Sequence, residues 1–157
     1  MELKGIKLTL LEPIVKSAKI FYENSLTSYS TLSIYRVLQK YAEYFEGLTN
    51  LLKTTSPEEI SFTSAYSKAA VKKMLGAYPL KEMKKAVELL AGRVQKHFAD
   101  QKSLMLVVWK SVQEEFLRRQ AAISEALEKV YPGASDVRLA YKVEDLIAYF
   151  SEVSVKS

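Results

Sequence analysis

The 157-residue sequence has no cysteine, a single histidine, and no two glycines within ten residues of each other. The missing cysteines exclude a disulfide framework, a zinc finger and a thiol nucleophile together. His97 alone cannot form a two-histidine metal site, and it follows Val94 in a helical pattern, so we interpret it as a helix-end or core-edge residue. The scattered glycines exclude a phosphate-binding loop, and with it nucleotide binding by a known motif.

Long uninterrupted apolar runs are also missing. No stretch approaches the ~18 apolar residues that a membrane span needs. The run from Ile6 to Val15 is broken by charges and by Pro13, and it lacks the cleavage context of a signal peptide. The composition, with 48% hydrophobic and 26% charged residues, is that of a globular protein. The length predicts one domain covering residues 1–157.

The main feature of the sequence is the helical spacing of its apolar residues. Apolar residues recur at steps of three and four, and no segment alternates with a period of two. This pattern predicts an all-α fold, an antiparallel bundle of about six helices at residues 12–27, 31–53, 64–77, 80–99, 102–131 and 142–153. Pro13 is expected in a first helical turn, the hydroxyl-rich stretch 25–31 as a link, and Ser56 at the start of a capping box. Residues 138–141 are expected to be briefly extended.

Candidate catalytic groups are scarce. The glutamate pairs 58/59 and 114/115 are adjacent, and neighbours on a helix point about 100° apart, so neither pair forms a shared acid–base site. We interpret Glu114 with Arg118, and Glu115 with Arg119, as surface ion pairs. Trp109 lies on the apolar stripe of the longest helix and is expected in the core. The sequence predicts a protein without enzymatic activity, cofactor or metal.

Two features could serve binding. Four tyrosines crowd one region (Tyr29, Tyr35, Tyr41 and Tyr44), where packing at helix edges is favoured over a partner surface. Between residues 68 and 102, nine basic residues stand against three acidic ones, an excess of six against five for the whole chain. Within this stretch we define the lysine face as Lys72, Lys73, Lys81, Lys84 and Lys85.

The lysine face has several possible interpretations. It could be a solvated surface, or it could contact acidic protein or anionic lipid headgroups, where each cation contributes about 1 kcal/mol. Nucleic acid is disfavoured, because no aromatic residues interleave with the lysines and no recognition helix is evident. If the face binds lipid, charge reversal at Lys84 and Lys85 should abolish recruitment to liposomes.

Specific residue strings add a family resemblance. They are Ile60-Ser61-Phe62, Ala65-Tyr66-Ser67-Lys68, Val71-Lys72-Lys73-Met74-Leu75, Tyr78-Pro79, Arg93-Val94-Gln95-Lys96-His97-Phe98, Val108-Trp109, Glu114-Glu115-Phe116-Leu117-Arg118, Tyr131-Pro132-Gly133 and Val143-Glu144-Asp145-Leu146-Ile147-Ala148-Tyr149-Phe150. In order and spacing, from about residue 41 to 153, they resemble the C-terminal region of the exocyst Sec-three subunit family.

That resemblance implies a function as well as a fold. The family belongs to an octameric, rod-like tether of helical bundles, so it implies a non-enzymatic scaffold domain that helps tether secretory vesicles to the plasma membrane. It implies other exocyst subunits as partners, with small-GTPase effectors and acidic phospholipid as further candidates, and a cytoplasmic location at the periphery of the plasma membrane. The alternative is a peripheral membrane module that binds acidic phosphoinositides through the lysine face.

Overall fold

The computed structural model describes the backbone of residues 2–153 and the side chains of residues 11–153. Within that range the chain forms seven α-helices and no strand. They are α1 (Glu2–Val37), α2 (Gln39–Leu51), α3 (Pro57–Ser61), α4 (Lys68–Ala77), α5 (Leu80–His97), α6 (Lys102–Val130) and α7 (Val143–Glu152). The prediction of an all-α bundle is confirmed.

Helix α6 lies at the centre of the bundle. Its apolar stripe is buried from Met105 to Val130, and it contacts α1, α2, α3, α5 and α7. Trp109 is only 5% exposed and packs against Phe150 of α7, with the ring centroids 5.6 Å apart. The predicted core position of this tryptophan is therefore confirmed.

The hydrogen bonds between helices give their relative directions. Ser30 bonds Ser111, and further along both helices Tyr41 bonds Gln120, so α1 and α2 run parallel to α6. Tyr29 of α1 instead contacts His97, at the end of α5, while Tyr41 of α2 contacts Tyr78, just before the start of α5. Helix α5 therefore runs antiparallel to its sequence neighbour α6, to which a four-residue link connects it.

The predicted break between helices in residues 25–31 is wrong, because α1 continues through it without interruption. The hydroxyls of Ser25 and Thr27 bond the carbonyls of Phe21 and Glu23, four residues earlier, and so are satisfied within the helix. Pro13, predicted in a first turn, lies inside α1 at an exposed position, where it removes one helical hydrogen bond.

The chain bends instead at Leu38, inside the helix predicted at residues 31–53. Leu38 has φ −128° and ψ 43°, which ends α1 and starts α2. Ile34, Leu38 and Tyr41 all remain buried across the bend. The apolar spacing therefore predicted the buried residues correctly. It could not predict the bend, because the spacing of buried residues is the same on both sides of Leu38.

The helix predicted at residues 64–77 begins only at Lys68. Ser67 caps it, because its hydroxyl oxygen accepts a hydrogen bond of 3.2 Å from the backbone N–H of Ala70. Before it lies α3, a short helix that is not among the six predicted and that starts after Ser56 with Pro57 in its first turn. The capping box predicted at Ser56 is wrong, because the Ser56 side chain forms no capping hydrogen bond.

Buried polar groups fix α2, α6 and the segment before α7 together. The Gln120 side-chain oxygen accepts hydrogen bonds from the Tyr41 and Tyr141 hydroxyls, at 2.9 and 3.0 Å. Burial raises the pKa of Tyr141 to about 12 and the pKa of Tyr41 well above its ordinary value, so both hydroxyls remain donors. Residues 138–141, predicted as extended, form bends, and Arg138 donates to the Tyr131 carbonyl at the end of α6.

Replacing glycines by alanine tests the packing between α2 and the link that joins α3 to α4. A Cβ at Gly47 would overlap the Tyr66 hydroxyl, which donates to the Tyr44 carbonyl at 3.0 Å, whereas a Cβ at Gly92 would meet nothing within 4 Å. We expect Gly92→Ala to stabilise the protein by roughly 0.5–1 kcal/mol. Gly47→Ala should destabilise it by about 1–3 kcal/mol through overpacking.

Urea unfolding followed by circular dichroism measures both free energies of unfolding. The double variant Gly47→Ala/Tyr66→Phe is the control, because loss of the hydroxyl removes the overlap and should recover part of the stability. If Gly47→Ala is as stabilising as Gly92→Ala, the close approach of Tyr66 to α2 is wrong.

Candidate functional site

The lysine face is divided between two helices. Lys72 and Lys73 lie on α4, and Lys81, Lys84 and Lys85 lie on α5. Four of the five are exposed, and Lys84 is half-buried. Solvent therefore reaches all five ammonium-bearing side chains to some degree, and none of them is buried in the core.

Three of these lysines are engaged by other side chains. Lys72 forms an ion pair with Asp136, and this contact lowers the pKa of the aspartate. Lys85 pairs with Glu82 at 3.2 Å, one turn away on the same helix. Lys84 lies over the ring of Tyr149, with its Nζ 5.0 Å from the ring centroid, and so helps to hold α7 against α5.

Lys73 and Lys81 are the members of the face with no ion pair to any residue between 11 and 153. Both are exposed. They are therefore the two cations most available to an anionic partner, while Lys84 has a structural role. The sequence located the charge but could not distinguish these roles.

A second surface, a groove between α2 and α6, was not anticipated from the sequence. Two adjoining cavities of 340 and 280 Å³ share Thr49, Lys53 and Ala122, so they form one continuous depression. We call this depression the α2–α6 groove. Its lining extends along α6 from Phe116 to Lys129, about 20 Å at 1.5 Å per residue.

The floor of the α2–α6 groove is apolar and its rim is charged. The floor includes Leu38, Phe45 and Ile123, each at most 5% exposed. Small residues on both helices keep the groove open, namely Ala42, Ala122 and Ala126. The rim carries Lys53, Arg118, Arg119 and Lys129 with the acids Glu46 and Glu125.

Glu115 organises the arginines at this rim. It accepts hydrogen bonds from Arg118 at 2.6 Å and from Arg119 at 2.9 Å. Burial opposes ionisation of Glu115, but the bonds and charges of the two arginines outweigh it, and the pKa of Glu115 is lowered. The predicted Glu115–Arg119 pair is confirmed, whereas Arg118 pairs with Glu115 and not with Glu114 as predicted.

The tyrosines mostly hold helices and links together. Tyr41 is buried in the Gln120 network, and the Tyr44 hydroxyl donates to the Ala65 carbonyl at 2.6 Å. The Tyr29 hydroxyl bonds Nδ1 of His97 at 2.8 Å, and His97 is the last residue of α5. Packing at helix edges is thus the main role of the cluster, and the helix-end position predicted for His97 is confirmed.

The part of the chain that the structure describes contains neither a metal-binding cluster nor a membrane-spanning helix. Among the side chains of residues 11–153, no three His, Cys, Asp or Glu are grouped where they could hold a metal ion. None of the described helices combines the length and apolar content that crossing a bilayer requires.

Comparison with known proteins gives consistent matches. The family model for "Exocyst complex component Sec3, C-terminal" matches residues 1–133. "Exocyst complex component 1" of Drosophila melanogaster and that of Mus musculus are each 33% identical over 153 residues, which are 97% of this chain and 17% of the relative. The Dictyostelium discoideum protein is 29% identical over 124 residues, 76% of this chain and 14% of its own.

The chain thus spans about a sixth of the length of the curated relatives that it matches. No solved structure matches it. The resemblance inferred from the residue strings is confirmed by a family model that covers most of the chain and by two relatives aligned along nearly all of it. The chain belongs to the family of exocyst complex component Sec3 C-terminal domains.

Proposed function

We propose that this domain is a non-enzymatic interaction module of the exocyst, which it serves in tethering secretory vesicles to the plasma membrane. It would act in the cytoplasm, at the periphery of that membrane, with other exocyst subunits as its main partners and small-GTPase effectors as a further class. The observation that carries the proposal is the match to exocyst complex component 1 along 97% of the chain.

The polar interior supports a structural role. Gln120, 2% exposed, is occupied by the Tyr41 and Tyr141 hydroxyls. Ser30, at 0% exposure, pairs with Ser111 of α6. These groups connect helices, since an unpaired buried polar group would cost about 1–3 kcal/mol. The buried polar groups therefore hold the helices of the bundle together, as a scaffold requires.

We assign the α2–α6 groove to a helix of another exocyst subunit. A groove with an apolar floor, small residues along its walls and a charged rim is the form in which amphipathic helices bind. Its length of about 20 Å fits about 13 residues of helix. The rim holds four cations and two acids, so it favours an occupant with acidic residues beside its apolar face.

Ala122→Arg tests this assignment. Ala122 is half-buried and lines both cavities, so an arginine there would fill the groove without entering the core. We expect its affinity for the partner subunit to fall by at least about tenfold, since central interface positions contribute over 1 kcal/mol. Surface plasmon resonance of the immobilised domain against purified exocyst subunits, one at a time, gives the affinities.

The matched control is Ala121→Arg, the same change one residue earlier. Ala121 is exposed and does not line the α2–α6 groove. Thermal unfolding should show both variants folded. If both bind the partner equally well, the groove is not the interface. If the unmodified domain binds none of the subunits, the proposed interaction role itself is contradicted.

A second candidate function, binding of acidic phosphoinositides, is supported by Lys73 and Lys81. Within residues 11–153 neither has an acidic partner, and both are exposed, Lys73 on α4 and Lys81 on α5. At a charged membrane surface each cation contributes about 1 kcal/mol. The interaction would weaken steeply with salt, unlike a subunit interface with an apolar core.

Charge reversal at Lys73 and Lys81 tests lipid binding more cleanly than reversal at Lys84 and Lys85. Lys84 contacts Tyr149 and Lys85 pairs with Glu82, so changing them also perturbs packing and the surface of α5. We expect Lys73→Glu/Lys81→Glu to lose at least about 2 kcal/mol, roughly thirtyfold, in affinity for vesicles containing phosphatidylinositol bisphosphate. Liposome co-sedimentation at low and physiological salt measures the loss.

The double variant Lys40→Glu/Lys110→Glu provides the control, with the same change in net charge at exposed positions on α2 and α6. It should reduce vesicle binding only slightly. Equal losses in the two double variants would mean that net charge alone attracts the domain. Absence of binding by the unmodified domain would leave the lysines as a solvated surface.

A further inference from the structure

The link between α2 and α3 carries a serine followed by a proline. The four prolines of the chain follow Glu12, Ser56, Tyr78 and Tyr131, so Ser56-Pro57 is the one place where a serine or threonine precedes proline. Ser56 is exposed, and its side chain forms no capping hydrogen bond with α3. Capping, the structural role that its position suggests, is therefore not what this hydroxyl does.

The backbone at Ser56 is extended, with φ −64° and ψ 144°. The ring of Pro57 favours this conformation, because it disfavours the helical region for the residue before it. Pro57 also has no backbone N–H. An enzyme pocket that offers the next residue no hydrogen-bond acceptor would leave the N–H of any other residue unpaired, and so would select a serine followed by proline.

The segment around Ser56 is accessible to such an enzyme. Thr54 is exposed before it, and Glu58 and Glu59 are exposed after it. Ile60, which is 0% exposed, is the first residue of α3 to enter the core. A helix of five residues has little stability of its own, so its first turn can open locally while Ile60 remains packed.

The same link borders the α2–α6 groove. Leu52 and Lys53, four and three residues before Ser56, line one end of the groove. The link is compact, because the backbone N–H of Thr55 donates to the Leu51 carbonyl at 2.7 Å. A charged group attached to Ser56 would therefore lie close to the rim, where Lys53 is exposed and able to pair with an anion.

The charge of a phosphate matches the charge of that rim. The rim has four cations and two acids, an excess of two positive charges. A phosphoserine carries a charge of about −1.5 to −2 at pH 7. One phosphate at Ser56 would therefore cancel most of the positive charge that attracts an acidic helix to the groove.

We propose that Ser56 is a phosphorylation site for a proline-directed serine/threonine kinase, and that the phosphate weakens binding of an acidic helix to the α2–α6 groove. The Ser56 hydroxyl oxygen attacks the γ-phosphorus of ATP, the bond to the bridging oxygen breaks, and ADP leaves. The hydroxyl proton passes to the catalytic aspartate of the kinase. The effect on binding rests on the proposed function, whereas the modification itself does not.

Phosphorylation is tested on the 157-residue chain and on the full-length subunit with a mitogen-activated protein kinase and MgATP. Peptide mass spectrometry should find phosphate at Ser56 in both. Pro57→Ala should lose it, because the alanine restores the N–H while Ser56 remains. The matched control is Thr54→Ala, which removes an exposed hydroxyl of the same link that no proline follows, and it should leave phosphorylation of Ser56 unchanged.

Binding is tested by surface plasmon resonance against the exocyst subunit that the unmodified protein binds. Phosphorylation should lower the affinity about tenfold at low salt, and less at high salt, because salt screens the charges at the rim. Ser56→Ala treated with the same kinase should keep the affinity of the unmodified protein. This control separates the phosphate at Ser56 from any phosphate elsewhere in the chain.

The phosphorylation site is contradicted if Ser56 gains no phosphate, or if Pro57→Ala gains as much as the unmodified sequence. The control of the groove is contradicted if the phosphorylated protein binds the subunit as tightly as the unmodified one. Failure of the proposed function is distinguishable from both, since the unmodified protein would then bind no subunit. The effect on binding would fall with it, while mass spectrometry would still decide the modification.

Discussion

Burial of the apolar stripe of α6 is the constraint on which the rest of the structure depends. This 29-residue helix buries ten residues, and each large apolar side chain removed from water contributes about 1.5–3 kcal/mol. Helices α1, α2, α3, α5 and α7 all contact it. The one polar residue in that buried set, Gln120, must therefore find partners inside the bundle, and two tyrosine hydroxyls provide them.

Apolar periodicity was sufficient to predict the helices that face this core. The predicted bounds of α5 and α6, at 80–99 and 102–131, differ from the structure by two residues and by one. Errors arose where side chains had two possible roles. Ser25 and Thr27 are typical of links, yet their hydroxyls bond carbonyls within α1, and whether a hydroxyl acts in this way depends on packing nearby.

The candidate surfaces also combine features that are visible in the local sequence with contacts between residues far apart in the sequence. The excess of lysine is visible in the sequence, but the engagement of Lys72 by Asp136 and of Lys84 by Tyr149 joins residues more than 60 positions apart. The α2–α6 groove depends on α2 running parallel to α6, which short-range patterns do not contain. Alanines at 42, 122 and 126 were the available signal, and they become meaningful only when the two helices are placed side by side.

An apolar stripe predicts that a helix face is buried, but it does not predict which core buries it. In α1 the same three-and-four spacing continues from residues exposed to solvent into residues packed against α5 and α6. The α2–α6 groove and the lysine face differ in the partner that their chemistry suits. A groove with an apolar floor and a charged rim suits a specific helix, whereas exposed lysines suit reversible, salt-sensitive contact.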